Sequence, residues 1–519
     1  MEVATAAAMR NIDKRTIDTY RVPGIVLMEN AGLELLRFLQ AQWPNLSQRR
    51  VTIIAGPGNN GGDGFILARH LWHRRTPVRV AMLTPVRQLR GDARRAYHMA
   101  QAYGVPLVSC TTAAAWRRFA GELRHTDLIV DALLGTGLRR PASGLYAEVI
   151  ETVNEAEQPV VAVDIPSGLS ADHGHLLGPH IQATHTVTFA LPKCGLLLYP
   201  AAAAVGTLST VDIGIPQAAV DAEEIDVTLL QASDMSRVLP VRHADAHKGS
   251  HGHLLVVAGS AGKSGAGVLS SQAALRGGAG LVTFALPRSL NAAMESQITE
   301  VMTLPVAENG EGALTSAALP DLTEFLSKAS ALVLGPGLGT HTETVTCVHA
   351  LLQRTTVPVV LDADGLNCVA DYPDVLKTCQ APVIMTPHPG ELSRLLGVST
   401  TAVQSQRLDI AYDFARDYGV YVVLKGAGTV IYAPDGRRSI NPTGNAAMAT
   451  AGTGDVLAGL IGALLCQNMT PLQAAQCGVY LHGLAGDRVR DRLGGSGLIA
   501  SDLIGEIPYA AQALRQVAA

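Results

Sequence analysis

The chain has 519 residues, too many for one ordinary hydrophobic core, so two to four domains are expected. Hydrophobic residues make up 48% and charged residues 16%, a balance that suits a packed α/β enzyme and excludes a disordered chain or a coiled coil. The formal net charge of -4 offers no basic field for nucleic acid, and no lysine-rich run precedes an amphipathic membrane anchor.

The seven cysteines are scattered and form no Cys-x-x-Cys pair, which argues for reduced thiols and a cytoplasmic protein. The segment from Met1 to Asp18 lacks a basic stretch followed by an apolar core, so no secretory signal is read there. The longest apolar run, Val456–Cys466, is too short to span a bilayer. Small-molecule partners are therefore expected, and an alanine-rich surface suits a homo-oligomer.

Residues 11–42 read as two helices, the second starting after Pro23-Gly24 with an apolar stripe. Strands and helices then alternate. Val51–Ala55 is a buried strand, Gly56 to Gly64 a loop, and a helix runs on through Arg74. Val78–Leu83, Asp127–Asp131 and Val160–Asp164 are further strands, with a helix over Arg90–Tyr103. This rhythm predicts a parallel sheet covered by helices on both faces, with ligands at the carboxyl ends of strands.

Three loops lie at such ends: Gly56–Gly64, Asp131–Pro141 and Asp164–Leu169. The first lacks the Gly-x-Gly-x-x-Gly spacing of a dinucleotide loop, but its two asparagines and aspartate are hard oxygen donors. Asn60, Asp131 and Ser167 suit a shared potassium or magnesium ion; the alternative is turn-forming residues alone. Lys193, after another strand, is either a buried acid–base lysine or a solvated one.

Thr207–Ile213 closes the first unit, and residues 215–242 form a connector with a short helix. The strand rhythm restarts at His253, which predicts domains at 1–220 and 230–515. The Gly262-Lys263-Ser264 triplet is no P-loop, because the residues four and five before Gly262 are Ala258 and Val257. His243, His247, His251 and His253 fit no usual zinc spacing and read as loop histidines.

Four polar loops then follow apolar runs, Gly335–Gly339, Asp362–Gly365, Thr386–Glu391 and Lys425–Thr429, and Gly452–Asp455 joins them. Together they build one rim around a phosphate site. Lys425 and the small residues after it suit a nucleotide phosphate or adenine ribose. Asp362 and Glu391 suit magnesium, directly or through water. Gly452-Thr453-Gly454-Asp455 runs straight into an apolar helix, whose free N–H groups and dipole attract an anion. Asp455 then sits beside that anion. It is either a base for a hydroxyl attacking the phosphate or a plain helix-capping acid.

The ordered set of loops resembles, nearly end to end, the bifunctional NAD(P)H-hydrate repair enzymes. The resemblance in the front half rests on Asn59–Gly64, Gly135–Pro141 and Asp164–Gly168. In the back half it rests on His247–Ser250, Gly259–Gly267, Gly335–Gly339, Thr386–Glu391, Lys425–Thr429 and Gly452–Asp455. It implies a Rossmann-like N-terminal epimerase domain and a C-terminal ADP-dependent dehydratase domain of the ribokinase-like kind. The first would interconvert the R and S hydrates, NADHX and NADPHX. The second would use ADP, with magnesium, to phosphorylate the S hydrate, from which phosphate leaves to restore NAD(P)H.

Residue by residue, the resemblance assigns the hydrate to Asn59, Asn60, Gly61, Gly62 and Asp63, and to Gly135, Thr136, Gly137, Leu138, Arg139, Arg140 and Pro141. Asp164 would be the acid–base residue or substrate anchor, and Asn60, Asp131 and Ser167 would hold potassium. In the back domain Ala266, Gly337, His388 and Asp455 would meet the hydrate. Lys425, Gly426, Ala427, Gly428, Thr429 and Gly454 would hold the nucleotide. A small-molecule kinase shares Gly-Thr-Gly-Asp and is the competing reading, with a front half that only binds a dinucleotide.

Overall fold

The computed structural model describes residues 1–517, which divide into two compact units, Met1–Val227 and the described residues from Thr228 onward. Among the described residues no helix is long and apolar enough to cross a membrane.

The first unit opens with helices α1 (Ala6–Asp18) and α2 (Gly24–Gln42). Seven strands follow: β1 (Val51–Ala55), β2 (Val78–Met82), β3 (Leu107–Ser109), β4 (Leu128–Ala132), β5 (Val160–Val163), β6 (His185–Phe189) and β7 (Thr207–Val211). All pair in parallel, in the order β3-β2-β1-β4-β5-β6-β7. Every residue of β1, β4 and β5 is buried, which is why these central strands are near-continuous apolar runs. Because β1, β4 and β5 are neighbours, the three loops that leave them share one edge of the sheet.

One expectation is corrected here. Residues 59–64 are not loop but the first turns of α3 (Asn59–His73). Glycine is a poor helix former, yet this start is buried. Asn60 through Phe65 all face protein, so tertiary packing outweighs local propensity. Helix α4 (Gly91–Ala102) packs beside α3.

The second unit is built on a ten-stranded sheet. Its strands are β8 (Val227–Leu229), β9 (His253–Val257), β10 (Leu281–Pro287), β11 (Met302–Val306), β12 (Ala331–Leu334), β13 (Val359–Leu361), β14 (Val383–Met385), β15 (Tyr421–Leu424), β16 (Val430–Tyr432) and β17 (Arg438–Ile440). The order is β11-β10-β9-β12-β13-β14-β15-β16-β17-β8, parallel from β11 to β15 and antiparallel from β15 to β17. The helix Thr453–Cys466 runs through the core, with every residue from Val456 to Cys466 buried. Its Gly459 lets it press on the helix Gly265–Arg276: a Cβ there would lie 2.0 Å from the Ser270 carbonyl oxygen. Of the four histidines read as loop residues, His253 instead lies in β9, where its Nε2 meets Thr283 Oγ1 at 2.8 Å. His247 caps the short helix Lys248–His251.

Candidate active sites

In the first unit a cavity of about 540 Å³ opens at the carboxyl edge of the sheet. Its wall includes Asn59, Asn60, Asp63, Gly135, Thr136, Gly137, Leu138 and Asp164, all expected from sequence. Gly61 and Gly62 do not line it. They are packing positions, where a Cβ would meet the Gly56 carbonyl at 2.2 Å and the Met28 side chain at 2.6 Å. Arg139, Arg140 and Pro141 are exposed and also lie off the wall.

Asp164 follows β5 directly with a positive φ of 64°, a conformation that aspartate adopts more readily than most residues but that still strains the backbone. Its Oδ1 accepts hydrogen bonds from Lys193 Nζ at 2.5 Å, Thr188 Oγ1 at 3.0 Å and the Phe189 N–H at 3.2 Å. Lys193 is 1% exposed and also donates to Thr188 Oγ1 and the Phe189 carbonyl, both at 2.9 Å. The open question about this lysine is thereby answered: it is buried and bound to Asp164. Around the pair stand Asp63 and Asp13, the latter on α1 and invisible to motif reading. Burial, reinforced by Asp164 and Asp13, holds the Asp63 carboxyl well above the usual carboxylate range.

Next to the cavity, Asn60, Asp131 and Ser167 come together around the Leu134 backbone. Ser167 Oγ donates to Asp131 Oδ1 at 2.6 Å, and its N–H donates to Oδ2 at 2.8 Å. Asn60 Nδ2 donates to the Leu134 carbonyl at 3.0 Å, and the Leu134 N–H donates to Ser167 Oγ at 2.8 Å. Asn60 Oδ1 is buried without a hydrogen-bond partner. An orphaned amide oxygen beside a buried carboxylate and a hydroxyl is a donor set that fits a hard cation. Burial pushes the Asp131 carboxyl up to about 6, against the hydrogen bonds from Ser167 and Leu133.

In the second unit, Gly452 takes a left-handed φ of 89° and turns the chain into the helix that carries Asp455 in its first turn. Among the described residues no hydrogen bond holds the Asp455 side chain, although it stands as the acidic residue in the first turn of the helix. Its backbone carbonyl accepts from Ser270 Oγ at 2.9 Å. Burial pushes its carboxyl up to about 7, with Asp362 adding, Lys425 opposing and Glu391 adding again. Lys425 Nζ bonds Asp362 Oδ1 at 2.8 Å and lies 3.9 Å from Glu391 Oε2. A Cβ on Gly454 would sit 3.2 Å from Lys425 Nζ, so the small residue keeps the space above the lysine open.

The other loops read from sequence are each held by local contacts. His388 caps the helix Pro389–Leu396, its exposed ring accepting from Gly390 N–H at 3.0 Å, while Glu391 Oε2 accepts from His388 N–H at 2.8 Å. Gly337 packs on Ala266, where a Cβ would come within 3.2 Å. Thr429 Oγ1 donates to the Gly426 carbonyl at 2.9 Å and closes the Lys425–Thr429 loop. Two supports escaped the sequence reading. Buried Arg407 donates to the Leu424 and Lys425 carbonyls at 3.1 and 3.2 Å. His482, which burial pushes down to about 4, meets the Thr453 carbonyl at 2.9 Å. Neither belongs to a polar loop that follows an apolar strand run, the signal that marked the other residues.

These two clusters belong to a two-unit α/β enzyme, with a carboxylate–lysine pair in one unit and a buried carboxyl group in the first turn of a core helix in the other. Residues 254–509 match the family model described as NAD(P)H-hydrate dehydratase, and residues 24–195 the one described as YjeF-related protein N-terminus. The bifunctional NAD(P)H-hydrate repair enzyme Nnr of Moorella thermoacetica is 45% identical over 99% of this chain and 98% of its own. That of Thermofilum pendens is 38% identical over 99% and 97%. A solved ribokinase-like superfamily protein from Enterococcus faecalis, 24% identical, covers 56% of this chain and 97% of its own with a TM-score of 0.50, and shares the C-terminal fold. The chain belongs to the bifunctional NAD(P)H-hydrate repair enzyme family.

Proposed function

We propose that residues 1–220 interconvert the R and S forms of NADHX and NADPHX, and that residues 230–515 return the S form to NAD(P)H with ADP, releasing AMP and phosphate. The observation that carries the second half is the Asp455 carboxylate. It is unbonded, lifted to about 7 and placed in the first turn of a helix entered through Gly452. It takes the proton from the substrate hydroxyl as the terminal phosphoryl group of ADP moves to that oxygen. Phosphate then leaves with the C–O bonding pair, and loss of the neighbouring ring proton restores the double bond.

Ala266, Gly337 and His388 hold the hydrate against Asp455, and Lys425–Thr429 with Gly454 hold ADP. Magnesium arrives with the nucleotide. No group of three or more His, Cys, Asp or Glu is placed to hold a metal among the described residues, but Asp362 and Glu391 face the phosphate loop. Magnesium usually takes one or two carboxylates and completes its shell with phosphate and water. There it would neutralise charge on the transferring phosphoryl group. In the first unit Asn59–Asp63, Gly135–Pro141 and Asp164 serve the hydrate. Asn60, Asp131 and Ser167 would hold potassium, on the strength of the orphaned Asn60 Oδ1. The protein works in the cytoplasm as a homo-oligomer.

The test is to incubate the purified chain with hydrated NADH and ADP. Return of reduced nicotinamide absorbance with release of AMP supports the reading. Nucleotide consumed with a lasting phosphorylated alcohol makes it a kinase, and neither change makes it a binding protein.

A further inference from the structure

The N-terminal cavity contains a titratable group that the repair chemistry assigned above does not use. Asp13 lies on α1, ahead of the segment 24–195 matched by the family model. Helix α1 is fixed beside the Lys193 loop. The Ala4 N–H donates to the Pro192 carbonyl at 2.9 Å, and the Cys194 N–H donates to the Ala4 carbonyl at 3.2 Å. Thr5 caps the helix, and Met9 and Ile12 bury its inner face against Ala219 and Val220. Asp13 is thereby held on the cavity wall with Asp63, Asp164 and Lys193. No hydrogen bond holds its carboxyl among the described residues.

Resting on the epimerase reading, we propose that Asp13 is a second catalytic carboxyl group, the acid that protonates the ring nitrogen of the hydrate while Asp164 takes the proton of its hydroxyl. Water added to the nicotinamide double bond leaves its hydroxyl on the carbon next to nitrogen, because the nitrogen lone pair makes that carbon the electrophilic one. Such a carbon inverts by ring opening. Asp164 removes the hydroxyl proton, the C–O bond becomes a carbonyl and the C–N bond breaks. The bonding pair goes to nitrogen, which takes the Asp13 proton. The aldehyde then rotates to present its other face, the nitrogen attacks it, and both protons return. Nothing is oxidised or reduced, and both carboxyl groups end as they began.

The two carboxyl groups differ in the way this requires. Asp164 Oδ1 is bound to the buried Lys193 ammonium group at 2.5 Å. Asp13 lacks such a partner. Burial lifts it to about 6, with Lys193 opposing and Asp164 adding. A carboxyl group bound to a lysine and one with no hydrogen bond among the described residues suit opposite roles, base and acid. Asp63 is less suited to the task. It is 8% exposed, and burial with Asp164 and Asp13 beside it holds its carboxyl well above the usual carboxylate range. The other charged groups on the same wall are Arg10 on α1 itself and Asp92 on α4. The short helix Gln217–Asp221, packed on the far side, presents the apolar Ala219 and Val220.

The experiment converts purified R hydrate to S in the absence of ADP, across pH, with wild type, Asp13→Asn and Asp13→Glu. Asp13→Asn is expected to lose about 10²–10⁴-fold in epimerisation rate and the alkaline limb of the profile, with ADP-dependent dehydration of pure S hydrate unchanged. Asp13→Glu, which keeps an acid, is expected to recover part of the rate and the limb. If Asp13→Asn epimerises within a few-fold of wild type, or if Asn and Glu variants with wild-type melting temperatures are equally inactive, Asp13 is not the acid. If wild type itself does not interconvert the epimers, the epimerase reading falls instead.

Discussion

Lys425 Nζ stands 2.8 Å from Asp362 Oδ1 and 3.9 Å from Glu391 Oε2, and the same ammonium group lowers the proton affinity of Asp455. One half-buried cation thus balances three carboxyl groups, on the loop after β13 and on the first turns of the helices Pro389–Leu396 and Thr453–Cys466. Its own proton is held more tightly than usual, because Asp362 and Glu391 outweigh the effect of burial. Such a balance leaves one carboxylate free to act near neutral pH.

Asp455→Asn keeps shape and removes the base. It is expected to bind ADP about as well as wild type, to lose about 10²–10⁴-fold in dehydration rate, and to epimerise normally. Nucleotide affinity, dehydration and epimerisation are measured on this one variant. Dehydration near the wild-type rate would show Asp455 to be dispensable, and a loss traced wholly to ADP binding would make it a nucleotide anchor. In wild type the base must be ionised, so the dehydration rate falls as pH drops below about 7. The stability sign is opposite to that of a salt-bridged acid. The folded-state value lies above the unfolded one, so stability declines as pH rises from about 4 to about 7, and Asp455→Asn should melt higher than wild type at pH 8.

Lys425→Met removes the group that opposes the rise in Asp455. The acid limb of the dehydration profile is expected to move upward from about 7, and ADP binding to weaken roughly 10- to 100-fold, the cost of losing a charge-assisted hydrogen bond. A limb that stays in place would show that Lys425 does not control the base.

Asp131→Ala should abolish any potassium dependence of epimerisation. Affinity for the ion should drop by at least the roughly 10–100-fold that losing an outer-shell partner costs, while dehydration of pure S hydrate continues. In wild type the ion competes with the proton lifted to about 6 on Asp131, so potassium affinity should fall as pH drops below that value. A rate that ignores potassium in wild type and variant alike removes the site.

Residues 1–225 and 226–519, expressed apart, should each be soluble and keep their own activity, because each unit has its own sheet and core. Two insoluble or inert fragments would refute this.

Most of the central strands and the polar loops after them were legible in the chain by itself, whereas the sheet orders and several edge strands, such as Leu107–Ser109 and Met302–Val306, were not. Buried parallel strands leave unbroken apolar runs, and the turns after them need glycine, asparagine and aspartate. That is local chemistry, and it marked Asn60, Asp131, Asp164, Asp362, Lys425 and Asp455. Packing alone decided that α3 begins at Asn59, since burial held glycines in a helix that their propensity opposes. Packing also brought Asp13 to the wall of a cavity also lined by Lys193, residues 180 positions apart, and set Arg407 and His482 beneath the nucleotide rim. The proton affinities of Asp455 and Asp13 depend on how far each is removed from water and on which charges surround it. Those are sums over neighbours distant in sequence, so only the folded structure could supply them.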